Sequence, residues 1–305
     1  MISFVIPCYK SALTIGKVVD EIKEAMVNDK FEIILVNDAS PDNTFDVIRE
    51  LCNKNSNVVG VNLNKNFGQH AALMAGFHQV RGDIVVCLDD DGQTPAKEAG
   101  KLIAAIKQGH DAVYARYGKK QHSGFRNFGS RLNELMARIL LDKPKELYLS
   151  SYFAAKRFII DEMIKYDNPY PYVIGLLLRT TKDIVNVDVC HREREVGQSG
   201  YTFSKLIMLW LNGFTAFSVK PLRIATTAGF VVAFVGFIYG IITIVRKFVG
   251  INYVLGFSAL MSALLFLGGL NLIMLGLIGE YIGRIYISMN KSPQFIVREI
   301  VNGDE

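Results

Sequence analysis

The sequence predicts an α/β domain built on a mostly parallel sheet, followed by a two-helix transmembrane hairpin. Three observations carry this reading. Strand-like and helix-like segments alternate through the first third of the chain. Polar residues collect where the strand-like runs end. Two apolar runs near the C-terminus, Ile224 to Val245 and Val254 to Gly279, contain no charged residue.

The strand-like runs are Ile2–Pro7, Glu32–Asn37, Val58–Leu63, Ile84–Leu88 and Ala112–Ala115, short and rich in β-branched residues. Between them Leu13–Val27, Thr44–Asn53, Gln69–Val80 and Pro95–Gln108 carry helical patterns. Alternation of this kind implies parallel strands with helices on both faces. Such sheets bind ligands at the carboxyl ends of their strands. The polar clusters sit there: Pro7-Cys-Tyr-Lys after the first run, Asn37-Asp-Ala-Ser after the second, Asp89-Asp-Asp-Gly-Gln after the fourth. No G-x-G-x-x-G follows the first run and no Walker lysine loop occurs, which disfavours a dinucleotide site and a P-loop.

Each C-terminal apolar run exceeds what a bilayer core of about 30 Å requires of a helix. Only Arg246 to Tyr253 separates them, so a tight hairpin is expected, returning the chain to the side it left. Met1-Ile-Ser-Phe-Val-Ile-Pro has no basic leader and opens as a strand, so the catalytic domain and both termini are expected in the cytoplasm. Lys220, Arg223, Arg284, Lys291 and Arg298 flank that side, against Arg246 and Lys247 in the far loop. Cys8, Cys52, Cys87 and Cys190 show no metal-ligand spacing and suit a reducing compartment. Gly236-x-x-x-Gly240 and Gly279-x-x-x-Gly283 permit close helix contact, within the hairpin or between subunits of a homo-oligomer. The expected domains are a catalytic domain over 1–201, a juxtamembrane amphipathic helix region over 202–223, the two spans over 224–279, and a C-terminal tail over 280–305. A net charge of +5, with its excess near the membrane, fits anionic lipid or phosphate rather than nucleic acid, for which no motif is present.

Asp89, Asp90 and Asp91 stand in a row at the end of a strand. Three adjacent carboxylates repel one another, and a cation removes the conflict. Strand alternation aims Asp89 and Asp91 the same way, about 6–7 Å apart at the backbone. Mg²⁺ takes oxygen ligands of this kind, commonly one or two carboxylates together with substrate phosphates.

Several motifs together resemble the family 2 glycosyltransferases of the GT-A fold. They are Val5-Ile-Pro-Cys-Tyr, Val36-Asn-Asp-Ala-Ser-Pro-Asp-Asn-Thr, Asn64-Lys-Asn-Phe-Gly-Gln-His-Ala-Ala-Leu-Met-Ala-Gly, and Gly82-Asp-x5-Asp89-Asp-Asp-Gly-Gln-x-Pro95. The subgroup resembled is the polyprenyl-phosphate glycosyltransferases. The resemblance extends through Arg194-x-x-Gly-x-Ser-x-Tyr201, the two apolar runs and Gly279-Glu-Tyr-Ile-Gly-Arg-Ile-Tyr286. Its one clear departure is Gly92, where the family usually carries Leu, and a looser turn is expected there.

The resemblance implies a metal-dependent, inverting transfer of one sugar from a nucleotide sugar to polyprenyl phosphate. The favoured donor is UDP-linked, glucose or an N-acetylhexosamine. Pro7, Tyr9, Asp38 and Asp90 are expected at the nucleotide sugar. Asp89, Asp91 and Gln93 are expected to hold Mg²⁺ or Mn²⁺, with Asp89 and Asp91 carrying the catalysis. Asp38 would also suit a cap on the following helix, a lesser reading compatible with the first. Arg192, Arg194 and Lys205 bracket a turn leading into the membrane, with Ser199 inside it, and cations with reach suit a lipid phosphate there. Enzymes of the family that use a hydroxyl acceptor carry a Glu-Asp base; the matching stretch, Tyr148-Leu-Ser-Ser-Tyr-Phe-Ala-Ala-Lys-Arg, has no carboxylate. A processive polysaccharide synthase is the main rival, but Gln-x-x-Arg-Trp is absent and the lone Trp210 lies in Met-Leu-Trp-Leu. A membrane scaffold with an inactive transferase domain is the other alternative, and the intact acidic turn speaks against it.

Overall fold

The structure is a computed structural model. It describes residues 1–92, 94–117, 143–144, 146–190, 257–290 and 292–303, with scattered positions between 226 and 249. The chain divides into two compact units: Met1–Phe203 together with Lys291–Glu305, and Ser204–Asn290.

The first unit is a single sheet. Its strands are β1 (Ile2–Cys8), β2 (Phe31–Asn37), β3 (Val58–Leu63), β4 (Ile84–Cys87), β5 (Ala112–Tyr117), β6 (Phe153–Lys156), β7 (Ile184–Val189) and β8 (Val297–Val301). Across the sheet they run β7-β5-β6-β4-β1-β2-β3-β8. β1 pairs in parallel with β2 and β4, β2 with β3, and β5 with β7. β6 is antiparallel to β4 and β5, and β8 is antiparallel to β3. All strands but β6 and β8 therefore point the same way, as the alternating sequence predicts.

One face is covered by α1 (Ile15–Ala25), α2 (Thr44–Lys54) and α4 (Ala99–Lys107), which share a core with the side chains of Phe4, Ile6, Ile33 and Leu35. In α1, Ile15, Val18, Val19 and Ile22 are buried at helical spacing while Lys17, Asp20 and Glu24 face water. The sequence pattern extends this helix to Leu13 and Val27, but both lie beyond its ends and are 79% and 77% exposed. Apolar character drew them in; no packing partner keeps them.

The other face carries α3 (Gln69–Phe77), α5 (Arg157–Met163) and α6 (Val173–Thr180). α3 is buried along Ala71 to Phe77. A Cβ on its Gly76 would lie 2.5 Å from Val5 Cγ1 and 3.0 Å from Val36 Cγ2. Only glycine lets the helix sit this close to β1 and β2.

β8, an element outside the sequence reading, follows the second apolar run and covers the edge of β3. Arg49 Nη2 donates to both oxygens of Glu299, at 3.2 and 3.1 Å. Asn302 Nδ2 donates to the carbonyls of Cys52 and Val58, at 2.7 and 3.1 Å. An edge strand left bare would invite pairing with other chains.

In the second unit α7 spans Phe257–Met289. Its stretch Phe266–Met289 is long and apolar enough to cross a membrane, the one such helix among the described residues. The sequence ends its apolar run at Gly279, but the helix continues for nearly three further turns. At about 1.5 Å per residue the 33 residues exceed the bilayer core. The described positions from Thr226 to Val245 are helical too, with Phe230, Val231, Phe234 and Val235 exposed. The segment 203–217 lies outside the described residues.

Candidate active site

β1 lies between β2 on one side and β4 on the other, so the connections leave it in opposite directions. A crevice opens at such a switch point, beyond the carboxyl ends of the strands. Pro7 helps to open it. Its ring nitrogen has no hydrogen to donate, and pairing of β1 with β4 stops before it, at Val5 opposite Cys87. Beyond that point the two strands part, Tyr9 and Lys10 emerging from one and Asp89 to Asp91 from the other.

The crevice is bridged by carboxylates. Asp90 Oδ2 accepts from Tyr9 N at 3.0 Å, tying the turn after β4 to the end of β1. The Tyr9 ring is 47% exposed at that edge. Asp38, at the end of β2, is 4% exposed. Its Oδ1 accepts from Phe67 N at 2.7 Å and its Oδ2 from Gly68 N at 2.8 Å. It does not cap α2, whose N-cap is Asn43; it pins the loop that enters α3. Asp89 Oδ1 accepts from Gln69 Nε2 at 2.9 Å, and its Oδ2 takes a short hydrogen bond from Ser151 Oγ. Residues 67–69 thus touch the acids of β2 and of β4 at once.

Backbone strain gathers at the same rim. Lys10 and Ala39, just past β1 and β2, hold φ of +58° and +46°. Non-glycine residues in this region persist where surrounding contacts over-determine them. Here Lys10 N donates to Ser40 Oγ. Gly92 holds φ +69°. The departure from the family's usual Leu is therefore matched by a left-handed turn that glycine adopts without strain.

Electrostatics set these acids apart. Burial pushes the Asp89 carboxyl up to about 6; the Asp91 and Asp90 charges add to this, and the Ser151 and Gln69 hydrogen bonds oppose it. Asp90 and Asp38 are raised as well, burial being the largest cause for each. Burial pulls His70, beside Gln69, down to about 4, so its ring is neutral at pH 7. That ring meets Tyr172 edge-on, with centroids 5.0 Å apart.

Cation binding has one observation for it and one that limits it. Carboxylates that raise one another's pKa mark a place where a cation lowers the energy. Yet among the described residues no three His, Cys, Asp or Glu converge as a ready-made ligand set. The donor set thus fits a hard divalent ion that takes one or two carboxylates here and its remaining oxygens from phosphate and water.

Pro7, Tyr9, Asp38, Asp89, Asp90 and Asp91 are brought to one crevice. Gln93, Arg192, Arg194, Ser199 and Lys205 lie outside the described residues. Gln69 and Ser151 have no role in the sequence reading, although Gln69 falls inside a motif that carries the resemblance and Ser151 inside the stretch that lacks the family's Glu-Asp base. The available signals are an amide at the start of a helix and a serine where a carboxylate is missing.

Comparison with known proteins places these features in a family. Residues 3–164 match the model of glycosyl transferase family 2, and residues 220–285 match that of the GtrB C-terminal hairpin. An undecaprenyl-phosphate 4-deoxy-4-formamido-L-arabinose transferase of Proteus mirabilis is 33% identical, over 98% of this chain and 94% of its own. The protein of the same name from Serratia proteamaculans is 34% identical over the same shares. That from Photorhabdus laumondii is 30% identical over 100% of this chain and 95% of its own. Among solved structures, glucosyl-3-phosphoglycerate synthase of Mycobacterium tuberculosis, crystallised with Mn²⁺, UDP-glucose and phosphoglyceric acid, superposes with a TM-score of 0.53. It is 20% identical and the match covers 68% of this chain and 74% of that one, a likeness of fold.

Proposed function

Because this chain belongs to glycosyl transferase family 2 and its C-terminal part matches the GtrB hairpin, we propose that it moves one sugar from a nucleotide sugar onto polyprenyl phosphate. The observation that carries the reading is the acidic turn Asp89–Asp91, held at the switch-point crevice of a chain that also has a membrane hairpin. Relatives named for undecaprenyl phosphate, matched along nearly their whole length, support that acceptor. The proposed donor is UDP-linked, with glucose and N-acetylhexosamine as first candidates. The relatives' own sugar, 4-deoxy-4-formamido-L-arabinose, belongs in the same panel.

In this reading Pro7 and Tyr9 line the nucleotide side, with Asp38 bracing the loop beneath it. Asp90 fixes the distance across the crevice through Tyr9 N. Asp89 and Asp91, with Gln93, would hold Mg²⁺ or Mn²⁺. When bound, such a cation offsets the charge that builds on the departing diphosphate. An oxygen of the lipid phosphate is already anionic at neutral pH, so attack at the anomeric carbon requires no general base. The absence of a carboxylate from residues 148–157 accords with this. In-line attack inverts the anomeric carbon. Arg192, Arg194, Ser199 and Lys205 are proposed to hold the lipid phosphate.

The sheet unit is placed on the cytoplasmic side on the strength of the flanking Lys220, Arg223, Arg284, Lys291 and Arg298, and connectivity supports an even number of crossings. The chain leaves the sheet after β7 and returns to it as β8. Both ends of the hairpin therefore belong on one side, which requires an even number of crossings. Close helix contact through the glycine pairs would pack the hairpin's own helices together, or bring several copies together.

The test is transfer by detergent-purified chain, with Mn²⁺ and undecaprenyl phosphate, from a panel of labelled UDP- and GDP-sugars. One UDP-sugar should give a prenyl-linked monosaccharide. Transfer from GDP-sugars alone would overturn the base, and products longer than one sugar would favour a processive synthase.

A further inference from the structure

Asp89 is gripped on both oxygens by side chains from distant parts of the chain. Gln69 opens α3, and its amide reaches Oδ1 at 2.9 Å. Ser151 lies just before β6, the strand beside β4, and its hydroxyl reaches Oδ2. The loop that delivers Gln69 is itself fixed, since Asp38 takes the N–H groups of Phe67 and Gly68. Asn66 Nδ2 adds a bond to the Asp38 carbonyl at 3.3 Å. A continuous brace thus runs from the acid of β2 to the acid of β4.

Neither donor belongs to the core. Gln69 is exposed and Ser151 half-buried. Removing either side chain takes little from the packing of the sheet, but it releases one oxygen of Asp89 to other rotamers. Functional groups must be held within about 0.5 Å of the productive geometry.

We propose that Gln69 and Ser151 are positioning residues for sugar transfer, clamping Asp89 while residues 66–69 set its span from Asp38. The proposal rests on the reading of the acidic turn as the donor site. It adds to that reading a second layer, drawn from α3 and from the approach to β6.

The full chain in detergent provides the test, with Gln69→Ala, Ser151→Ala, Ser151→Thr and Asp89→Asn. Two quantities are read: kcat and KM for transfer, and calorimetric affinity for UDP with Mn²⁺, or for GDP with Mn²⁺ should UDP give no heat. Each alanine variant should lose roughly ten-fold in kcat or in nucleotide affinity, the scale of one hydrogen bond to a charged group. The KM for undecaprenyl phosphate and the melting temperature should hold, and Ser151→Thr should restore most of the loss. In the Asp89→Asn background, Ser151→Ala should add nothing to the loss of affinity. Wild-type turnover and affinity in both alanine variants, with Asp89→Asn impaired, would overturn the clamp and leave the donor site standing. So would an equal loss on Ser151→Ala with and without Asp89. Full activity in Asp89→Asn would sink the donor-site reading, and the clamp with it.

Discussion

Gly92 closes the acidic turn in a left-handed conformation, φ +69°, with open space where a side chain would go. The strain of a substitution there is therefore conformational, not steric. Gly92→Leu, which restores the family's usual residue, should cost about 1–2 kcal/mol in stability, the ordinary penalty for a non-glycine residue in this region. It should also weaken nucleotide binding by shifting the carboxylates, and a melt with a calorimetric titration of UDP and Mn²⁺ checks both. Unchanged stability and affinity would mean that the turn relaxes freely. At this scale the sequence is most legible where charge crowds. Three adjacent acids repel one another and call for a cation, and all three fall in the crevice. The partners of Asp89 are not legible. They lie 20 and 62 residues away, and nothing local in the sequence says which amide or hydroxyl will arrive. Asp38 is half legible. A carboxylate after a strand is a natural acceptor for backbone N–H groups, but its donors come from the loop before α3 and not from the helix that follows it.

Elements read well where period and composition agree. β1 to β5 and α1 to α4 stand within a few residues of the sequence reading, because β-branched runs mark the strands and a one-sided apolar period marks α1, α2 and α4, while α3 is apolar enough to be buried along most of its length. β8 is hidden, since a five-residue strand beyond a membrane hairpin gains its meaning only from the edge of β3 that it covers. The seating of α3 is hidden as well. The motif ending in Gly76 stands out in the sequence, but the reason for its glycine is a 2.5 Å approach to Val5. Gly76→Ala should therefore destabilise the protein by about 1–3 kcal/mol, the usual cost of overpacking a core. It should also lower nucleotide affinity, since lifting α3 lifts Gln69. Thermal melts beside calorimetry decide this; a stable variant with unaltered affinity would show that α3 does not set the position of Gln69.

For the whole molecule, the sheet constrains the membrane arrangement. β8 and β1 share one sheet, so the chain between them must return to the side it leaves. A cysteine placed in the Arg246–Tyr253 loop should react with an impermeant thiol reagent on intact cells. Cys190, exposed in the catalytic domain, supplies a built-in control that should react only after permeabilisation. Labelling of Cys190 on intact cells, with a protected loop, would reverse the orientation. The hairpin is legible at once because charge-free runs of this length rarely occur in globular domains, whereas the extension of α7 to Met289 depends on helix continuity past the apolar boundary.

In the proposed reaction the acidic turn drives transfer of a sugar to a prenyl phosphate. The most direct measurement is recovery of labelled sugar in an organic extract after incubating the purified chain with its donor, Mn²⁺ and undecaprenyl phosphate. Label should enter the organic phase with the unaltered chain and fall to background with EDTA, with Asp89→Asn and with Asp91→Asn, while both variants keep the melting behaviour of the parent. Full transfer in EDTA, or in either variant, would show that the acidic turn and its cation do not drive the reaction.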